Sequence, residues 1–218
     1  MQGHVSILSV SPEAAAMIAS GGRISTMDGT ADEIYANSLS AGQEKNEKLI
    51  GKVLSSGHTS VLEHCYVNLS FENVSVLAEQ FLIEFRLASF TVKSRRYVDF
   101  SKAGYVSPVF TDNVQMAIFE RTVESLFGTY DVLEAAGVPK EDARFVLPYC
   151  FCSNFFCSMN ARELVHVMNE LAYGRGSRIP ELRALGESLF AQCEQQIPFL
   201  AVRKPEAYRQ SDAFCLRQ

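Results

Sequence analysis

The spacing of apolar residues along the chain predicts a few strands among longer helices. Alternating or β-branched stretches at residues 4–10, 66–71 and 149–159 have the pattern of strands. Because the longest elements are helical and their order with the strands is irregular, we predict one α+β domain over residues 1–218, with a mixed sheet, long packed helices and more helix than strand. The predicted helices span residues 12–21, 30–56, 75–88, 112–136, 140–146 and 160–171, and Pro180 opens a last long one.

Capping residues and glycines set several of these predicted ends. Ser11 and Pro12 have the arrangement of an N-cap followed by proline at the first helical position. Gly21-Gly22 and Gly57 are placed to end the helices that precede them. Residues 23–30 are polar and are predicted to form a loop.

Composition narrows the class of protein. The chain has 218 residues, 47% hydrophobic and 21% charged, which is ordinary for a globular domain. A net charge of −5 argues against general nucleic-acid or membrane-surface binding, which usually needs basic excess. There is no apolar stretch of about 18 residues and no signal-peptide pattern at the N-terminus. We therefore expect a cytoplasmic protein with neither nucleic acid nor membrane as partner.

The cysteines allow two interpretations. In a cytosolic chain they are expected to be reduced. Cys150, Cys152 and Cys157 suggest zinc, but their spacing is not a usual zinc pattern and aromatic residues surround them. The alternative, which we favour, is buried inert thiols and no metal site. The six cysteines are Cys65, Cys150, Cys152, Cys157, Cys193 and Cys215.

Residues 57–64 form the first segment with candidate chemistry. They read Gly-His-Thr-Ser-Val-Leu-Glu-His and join a predicted helix to a predicted strand. A loop at such a junction can present backbone donors and side chains to a bound group. The alternative is helix capping, with Thr59 or Ser60 as the cap and Glu63 in the first turn. The two histidines have no recognised metal-ligand spacing.

Residues 84–97 form the second segment. A largely apolar helix runs here into three arginines, a lysine, two serines and a tyrosine. Arginine forks and hydroxyls at the end of an element are good ligands for phosphate or carboxylate. The alternative is a solvated basic turn in which Arg86 pairs with Glu84 or Glu79.

Residues around Arg144 and Arg162 form the third segment. Arg144 stands among apolar residues, so its charge needs a partner if it is buried. Asn160 is placed to cap a helix, which puts Arg162 in the first turn, where a cation is unfavourable to the helix dipole. Arg162 therefore indicates a nearby anion, although capping by Asn160 and a surface arginine explain the pattern almost as well.

Taken together and in this order, the segments resemble the flavin-dependent thymidylate synthase family. That family has the signature R-H-R-x-x-S-x-N-x-x-S-x-R-Y, of which this chain keeps Arg86, Ser89, Ser94, Arg96 and Tyr97. Further matches are G-H-x-S-x-x-E-H at residues 57–64, A-R-x-x-L-P at 143–148, N-A-R at 160–162, and a G-R-x-S at 22–25 that resembles the family's early A-R-x-S. The resemblance extends over about residues 4 to 200.

The chain departs from the family pattern at several positions. The first Arg-His of the signature is Glu84-Phe85 here, and its Asn is Thr91. The resemblance places a family arginine, which helps to ionise the uracil ring, at Leu171. The charge inversion at Glu84 would weaken anion binding unless another cation compensates. Candidate compensators are Arg95, Arg175 and Arg178.

The resemblance implies a reaction and a set of site residues. Family members are homotetramers with active sites at subunit interfaces; they methylate dUMP to dTMP with FAD, methylenetetrahydrofolate and NADPH. Ser94 and Arg96 fall at the catalytic segment, with Ser94 as a hydrogen-bond partner of the nucleotide and not a nucleophile. The implied dUMP-binding residues are Val92, Lys93, Ser94, Arg95, Arg96 and Arg144. The implied FAD-binding residues are Ser25, His58, Ser60, Arg86, Asn160, Arg162 and His166, the last at the position of a family asparagine.

Three functions remain open on the sequence. The first is an active dUMP-methylating synthase. The second is a family paralogue that binds flavin or nucleotide but modifies a different pyrimidine. The third is a non-catalytic oligomer or binding module of the same fold. The departures at Phe85 and Leu171 favour the second and third functions. The retained residues favour the first two; they are Ser94, Arg96, Arg144 and Arg162.

Overall fold

The computed structural model describes residues 3–208, and the structural statements below concern that part of the chain. The strands are β1 (His4–Val10), β2 (Tyr66–Ser75), β3 (Ala88–Val92) and β4 (Cys152–Asn160). The α-helices are α1 (Ala14–Arg23), α2 (Ala31–Ala41), α3 (Gln43–Ser55), α4 (Val76–Ile83), α5 (Asn113–Ala135), α6 (Lys140–Ala143), α7 (Ala161–Ala172), α8 (Pro180–Gln196) and α9 (Pro205–Tyr208).

The four strands form one sheet in the order β1-β2-β4-β3. The predicted α+β class, with helix exceeding strand, is confirmed. The sheet is antiparallel throughout and not mixed. Its direction is visible where the end of β1 meets the start of β2, since Ser11 N donates to Tyr66 O at 2.9 Å. Apolar periodicity identifies a strand but carries no information on its direction, which is why the sequence could not settle this.

The segment after β2 contains a strand that the sequence did not predict. Ser75 caps α4, its Oγ accepting from Ala78 N at 3.0 Å, and the helix ends at Ile83 instead of continuing to residue 88. β3 follows, with half-buried and exposed residues in alternation. Its Phe, Thr and Val side chains favour a pleated strand, and this preference outweighs the apolar helix spacing that precedes it.

The first helix begins later and runs further than predicted. Glu13, with φ 52°, precedes it, so Ser11 and Pro12 lie outside the helix. The helix continues through Gly21 and Gly22, where a Cβ would lie 3.2 Å from atoms of the His64 and Val53 side chains respectively. These glycines therefore allow close packing and do not end the helix.

The predicted helix over residues 30–56 is two helices. Thr30 and Glu33 form a reciprocal capping box at the start of α2. Gly42, with φ 80°, separates α2 from α3, because few other residues adopt that conformation without strain. Gly57, with φ 85°, ends α3 as predicted: its N donates to Leu54 O at 3.0 Å.

The chain divides into two compact units, which are described separately. The first unit comprises residues 3–4, 71–84 and 90–156 of the described chain, and the second comprises residues 5–70, 85–89 and 157–208. The predicted single domain over residues 1–218 stays a prediction. None of the helices between residues 3 and 208 combines the length and hydropathy of a membrane span. The core of the first unit contains Val76, Phe100, Tyr130, Ala143, Leu147 and Phe151.

Candidate functional site

In the second unit, residues 57–64 are held by the end of α3 and by a 3-10 turn. His58 N donates to Val53 O at 3.1 Å, which completes the C-terminal cap that Gly57 begins. The turn spans Thr59–His64 and has no side-chain cap at its N-terminus. The interpretation of Thr59 or Ser60 as a helix cap is therefore wrong, and these side chains are left for other contacts.

The N-terminus of α7 lies beside this turn. Asn160 caps the helix as predicted, with Oδ1 accepting from Glu163 N at 2.9 Å. Arg162 in the first turn pairs with Glu63, with 2.5 Å between Nη1 and Oε1. Glu63 is therefore the anion that the position of Arg162 indicated. Both side chains are about half exposed, so a bound anion can compete for Arg162.

Phe85 and His166, two positions at which the chain departs from the family pattern, are in contact. Their ring centroids lie 5.6 Å apart with an interplanar angle of 77°, which is an edge-to-face arrangement. Phe85 is 7% exposed. The buried phenyl ring therefore restricts the orientation of the imidazole.

Arg162 and His166 line a cavity of about 880 Å³ in the second unit. Three sequence segments singled out above meet at it, because Thr59 and Leu87 also line it. Its wall is mostly apolar, with charged groups at a few points, which is typical of small-molecule sites. The other lining residues are Glu47, Gly51, Leu54, Ser55, Leu62, Glu163, Val165, Asn169, Pro198, Phe199, Val202, Lys204 and Tyr208.

The remaining implied flavin residues lie near the lining segments but do not line the cavity. Ser25, His58, Ser60 and Arg86 are exposed, and Asn160 is half-buried. Arg86 forms no ion pair with any described residue, so the interpretation that it pairs with Glu84 or Glu79 is wrong.

Asn169 holds one wall of the cavity and was missed in the sequence. Its Nδ2 donates to Val165 O at 2.7 Å and to Val202 O at 2.8 Å, and its Oδ1 accepts from Lys204 N at 2.6 Å. The side chain is buried, at 1% exposure, so these bonds fasten the segment after α8 onto α7. The signal in the sequence was its spacing: Asn169 lies four residues after Val165 and three before Ala172, on the apolar face of the helix.

Arg203 fastens the same segment from outside. Its Nη1 donates to Glu187 at 2.7 Å and to the Tyr173 hydroxyl at 2.9 Å, and the guanidinium lies 4.2 Å from the Phe190 ring centroid. Hydrogen bonding to Glu187 and Tyr173 raises the pKa of Arg203 further above its usual range. Arg203 therefore stabilises the cavity wall, and we assign it no contact with a ligand.

Leu171, where the family has an arginine, is a core residue. It is fully buried, and a Cβ on Gly186 would lie 2.8 Å from its Cβ. Helices α7 and α8 therefore cross in close contact at this point, with no room for a side chain on Gly186. Arg175, one of the candidate compensators, pairs with Glu170 at 3.8 Å.

In the first unit, Arg95 is engaged in a buried ion pair. Its Nη2 lies 2.5 Å from Glu79 Oε2, the two side chains being 18% and 2% exposed. Ser153 Oγ donates to the same oxygen, and the guanidinium lies 5.2 Å from the Phe151 ring centroid. Arg95 Nε is buried without a hydrogen-bond partner among the described residues. Arg95 thus anchors the loop after β3, and its Nε is a buried donor that no described residue satisfies.

Arg96 and Arg144 both attach to Glu141. Arg96 Nε donates to Glu141 Oε2 at 2.9 Å, and Arg144 Nε donates to the Glu141 backbone oxygen at 2.9 Å. Two of the three arginines implied at the nucleotide are therefore brought to one residue, although 48 positions separate them in the chain (144 − 96). Glu141 was not identified as a site residue from the sequence. The signal for it was an acidic residue three positions before Arg144.

The other implied nucleotide residues follow one another at the end of β3. Val92 ends the strand, and Lys93 N donates to Asn154 O at 3.0 Å. Ser94 Oγ accepts from Arg96 N at 3.2 Å, which leaves the hydroxyl proton of this half-buried side chain for another acceptor. Lys93 is exposed, with Nζ 5.9 Å from a phenyl ring centroid.

Four of the five described thiols are buried, which agrees with the predicted burial of the cysteines. Burial raises the pKa of Cys157 and of Cys193 to about 12, so both are uncharged at neutral pH. Among residues 3–208, no group of three His, Cys, Asp or Glu side chains is arranged to hold a metal ion. Cys65 and Cys152 are also buried, Cys150 is partly buried, and Cys215 lies outside the described residues.

Comparisons with known proteins give matches over most of the chain. A family model described as thymidylate synthase complementing protein matches residues 6–199. The chain is 31% identical over 209 residues to the flavin-dependent thymidylate synthase of Nitratidesulfovibrio vulgaris, covering 90% of this chain and 84% of that protein. It is 34% identical over 166 residues to the enzyme of that name from Geobacter sulfurreducens, covering 74% and 70%.

A solved structure shares the fold. It is the crystal structure of a UMP/dUMP methylase, PolB, from Streptomyces cacaoi bound with 5-Br dUMP. The TM-score is 0.76 at 21% identity, and the match covers 92% of this chain and 93% of that one.

Proposed function

The chain belongs to the flavin-dependent thymidylate synthase family, and we propose that it is an FAD-dependent methyltransferase that converts dUMP to dTMP. The observation that carries the proposal is the cavity of the second unit. Segments 57–64, 85–89 and 160–166, which resemble family motifs, each contribute a lining residue to it. Unrelated surface segments would not be expected to meet in this way.

The cavity suits a flavin in size and in the character of its walls. Its volume of about 880 Å³ is within the range of small-molecule sites, and its walls combine apolar side chains with cationic donors. Arg162 and Lys204 would pair with the anionic part of the cofactor, while His166 would hydrogen-bond to it. When bound, the flavin supplies hydride transfer, and the protein holds it in place and excludes water.

The residues after β3 suit the nucleotide. Arg96 and Arg144 would bind the phosphate, since guanidinium groups make charge-assisted, often paired hydrogen bonds to phosphate oxygens. Ser94 would donate its hydroxyl proton to the nucleotide. Arg95 would add an Nε donor from its anchored position. These roles orient the pyrimidine and need no protein nucleophile.

The co-substrates and the assembly form part of the proposal. Methylenetetrahydrofolate would supply the carbon, NADPH would reduce the flavin, and the active enzyme would be a homotetramer in the cytoplasm. The names of the relatives support the flavin and the thymidylate synthase reaction. The co-substrates and the tetramer follow from the family resemblance alone, and the compartment is the one expected from the sequence. A tetramer would be recognised by its mass in light scattering.

One observation favours a second candidate, a methylase that accepts a different pyrimidine nucleotide. Leu171 is buried in the core at the position of the family arginine that helps to ionise uracil. The structural neighbour with this fold is named a UMP/dUMP methylase. The activation of the ring, and with it the choice of pyrimidine, would then depend on other groups in this chain.

The purified full-length protein tests both candidates. We expect yellow protein or uptake of added FAD, measured by absorbance and flavin fluorescence, and transfer of labelled carbon from methylenetetrahydrofolate to dUMP. Equal or faster labelling of UMP would favour the second candidate. Protein that takes up no flavin and labels neither nucleotide would exclude both.

Replacing Arg144 tests the nucleotide site. We expect Arg144→Ala to weaken dUMP binding by about 1–3 kcal/mol through loss of a charged hydrogen bond. Calorimetric titration would measure this loss. Arg121→Ala is a matched control, because Arg121 is exposed on α5 and makes no ion pair with a described residue. Unchanged affinity in Arg144→Ala, or an equal loss in the control, would remove Arg144 from the site.

A further inference from the structure

We propose that Glu141 is an internal substitute for the nucleotide phosphate. Its carboxylate holds Arg96 in the unliganded protein and has to be displaced by the phosphate, so it lowers the affinity of each ligand that takes Arg96. The inference rests on the proposed nucleotide site and assigns a positioning role to a residue outside the family motifs quoted above.

The geometry separates two contacts on one residue. The Glu141 side chain accepts from Arg96, whereas its backbone oxygen accepts from Arg144. Each arginine uses only Nε, and the terminal amino groups of both have no hydrogen-bond partner among residues 3–208. A ligand that displaces the carboxylate would therefore leave the Arg144 contact intact and find free donors on both arginines.

The exposure of the pair makes the exchange easy. The side chains of Arg96 and Glu141 are 59% and 47% exposed, and ion pairs in such surroundings contribute little to stability. The Arg95–Glu79 pair of the same unit is buried by comparison, so it is not available for exchange. Two consecutive arginines therefore differ. Arg95 is held in a buried ion pair with Glu79, whereas the exposed pair of Arg96 with Glu141 can be replaced by a ligand.

The charge of the ligand decides whether it displaces Glu141. A phosphate monoester carries a charge of about −1.5 to −2 at pH 7 and three acceptor oxygens, more than one carboxylate offers. A phosphodiester carries a single negative charge and therefore displaces Glu141 less completely. Displacement costs the same free energy for each ligand that takes Arg96, so removing the carboxylate should strengthen dUMP binding at least as much as binding of the diester.

Glu141→Gln tests this directly, because glutamine keeps the shape and the backbone oxygen but removes the charge. Calorimetric titration would use dUMP, its 5′-methyl phosphodiester and inorganic phosphate. We expect dUMP to bind the variant about 1.5- to fivefold more tightly, the range of an exposed ion pair. The diester should gain no more than dUMP.

Asp142→Asn is the matched control. Asp142 is the next residue on the same short helix, is exposed and makes no side-chain bond to a described residue. The Asp142→Asn substitution therefore removes the same charge without changing the contact to Arg96. We expect the affinities of this variant for dUMP, the diester and phosphate to equal those of the wild type. Thermal unfolding of both variants would establish that they are folded.

Several results would overturn the inference. Unchanged or weaker dUMP binding in Glu141→Gln would mean that the carboxylate does not compete, and an equal gain in Asp142→Asn would reduce the effect to net charge. If no variant binds dUMP, the proposed function fails, but the phosphate titration still decides the role of Glu141. Tighter phosphate binding in Glu141→Gln would then support it, and unchanged phosphate binding would refute it.

Discussion

The two units prepare for their proposed ligands in different ways. In the second unit, Arg162 and His166 lie on the wall of a cavity whose shape is fixed by packing and by the buried amide of Asn169. In the first unit, Arg95 and Arg96 are already neutralised by carboxylates of their own unit. Arg162 is also paired, with Glu63, so the units differ in the cavity and not in the pairing of their arginines. Substitutions of buried wall residues should therefore change the shape of the cavity in the second unit, whereas substitutions of the paired acids in the first unit should change its electrostatics.

The largest effect is expected from Glu79→Ala in the first unit. Removing the carboxylate leaves the Arg95 cation buried without its partner and deprives Ser153 Oγ of its acceptor. We expect the free energy of unfolding to fall by about 3–5 kcal/mol, measured by urea denaturation. Asp131→Ala, at an exposed position of α5, is the control and should change it little. A loss below about 1 kcal/mol would mean that the pair is not a structural anchor.

A smaller effect is expected from Asn169→Ala in the second unit. The substitution removes three hydrogen bonds and leaves backbone groups of Val165, Val202 and Lys204 without their partner. We expect a loss of about 2 kcal/mol in unfolding free energy and weaker FAD uptake, because the cavity wall loosens. Asn37→Ala, on the exposed side of α2, serves as the control. If the Asn169→Ala protein is destabilised but binds FAD with normal affinity, the wall segment that Asn169 holds does not contribute to cofactor binding.

The smallest effect is the coupling between Phe85 and His166. A double-mutant cycle of Phe85→His and His166→Asn, the family residues, would measure it by FAD affinity and by unfolding. We expect a coupling of about 1 kcal/mol, the usual contribution of an edge-to-face ring pair. Strictly additive losses in FAD affinity and unfolding free energy would show that the two positions act independently. The Phe85–His166 contact would then not stabilise the cavity wall.

The sequence predicted the fold class and the helices with strong caps. Asn160 and Pro180 begin α7 and α8 as predicted, because side-chain capping and the fixed φ of proline act locally. β3 was missed because it is short and its stability depends on a neighbouring strand. The role of Gly21 was misjudged because the same residue serves a helix end or a close contact, and only packing distinguishes them.

The candidate site was predictable in its arginines but not in their partners. Motif resemblance identified Arg96, Arg144 and Arg162. It did not identify Glu141 or Glu79, because an acid beside a basic residue in three dimensions leaves no fixed spacing in the chain. Asn169 was missed for a related reason, since its bonds reach residues 33 and 35 positions further along.

The tight crossing of α7 and α8 limits where this part of the molecule can be redesigned. Leu171 is fully buried, and a Cβ on Gly186 would lie 2.8 Å from its Cβ. Arginine at position 171 would place a charge in this apolar contact, and alanine at position 186 would force the two helices apart. Engineering of ligand binding should therefore begin at exposed residues of the cavity wall and leave the helix crossing unchanged.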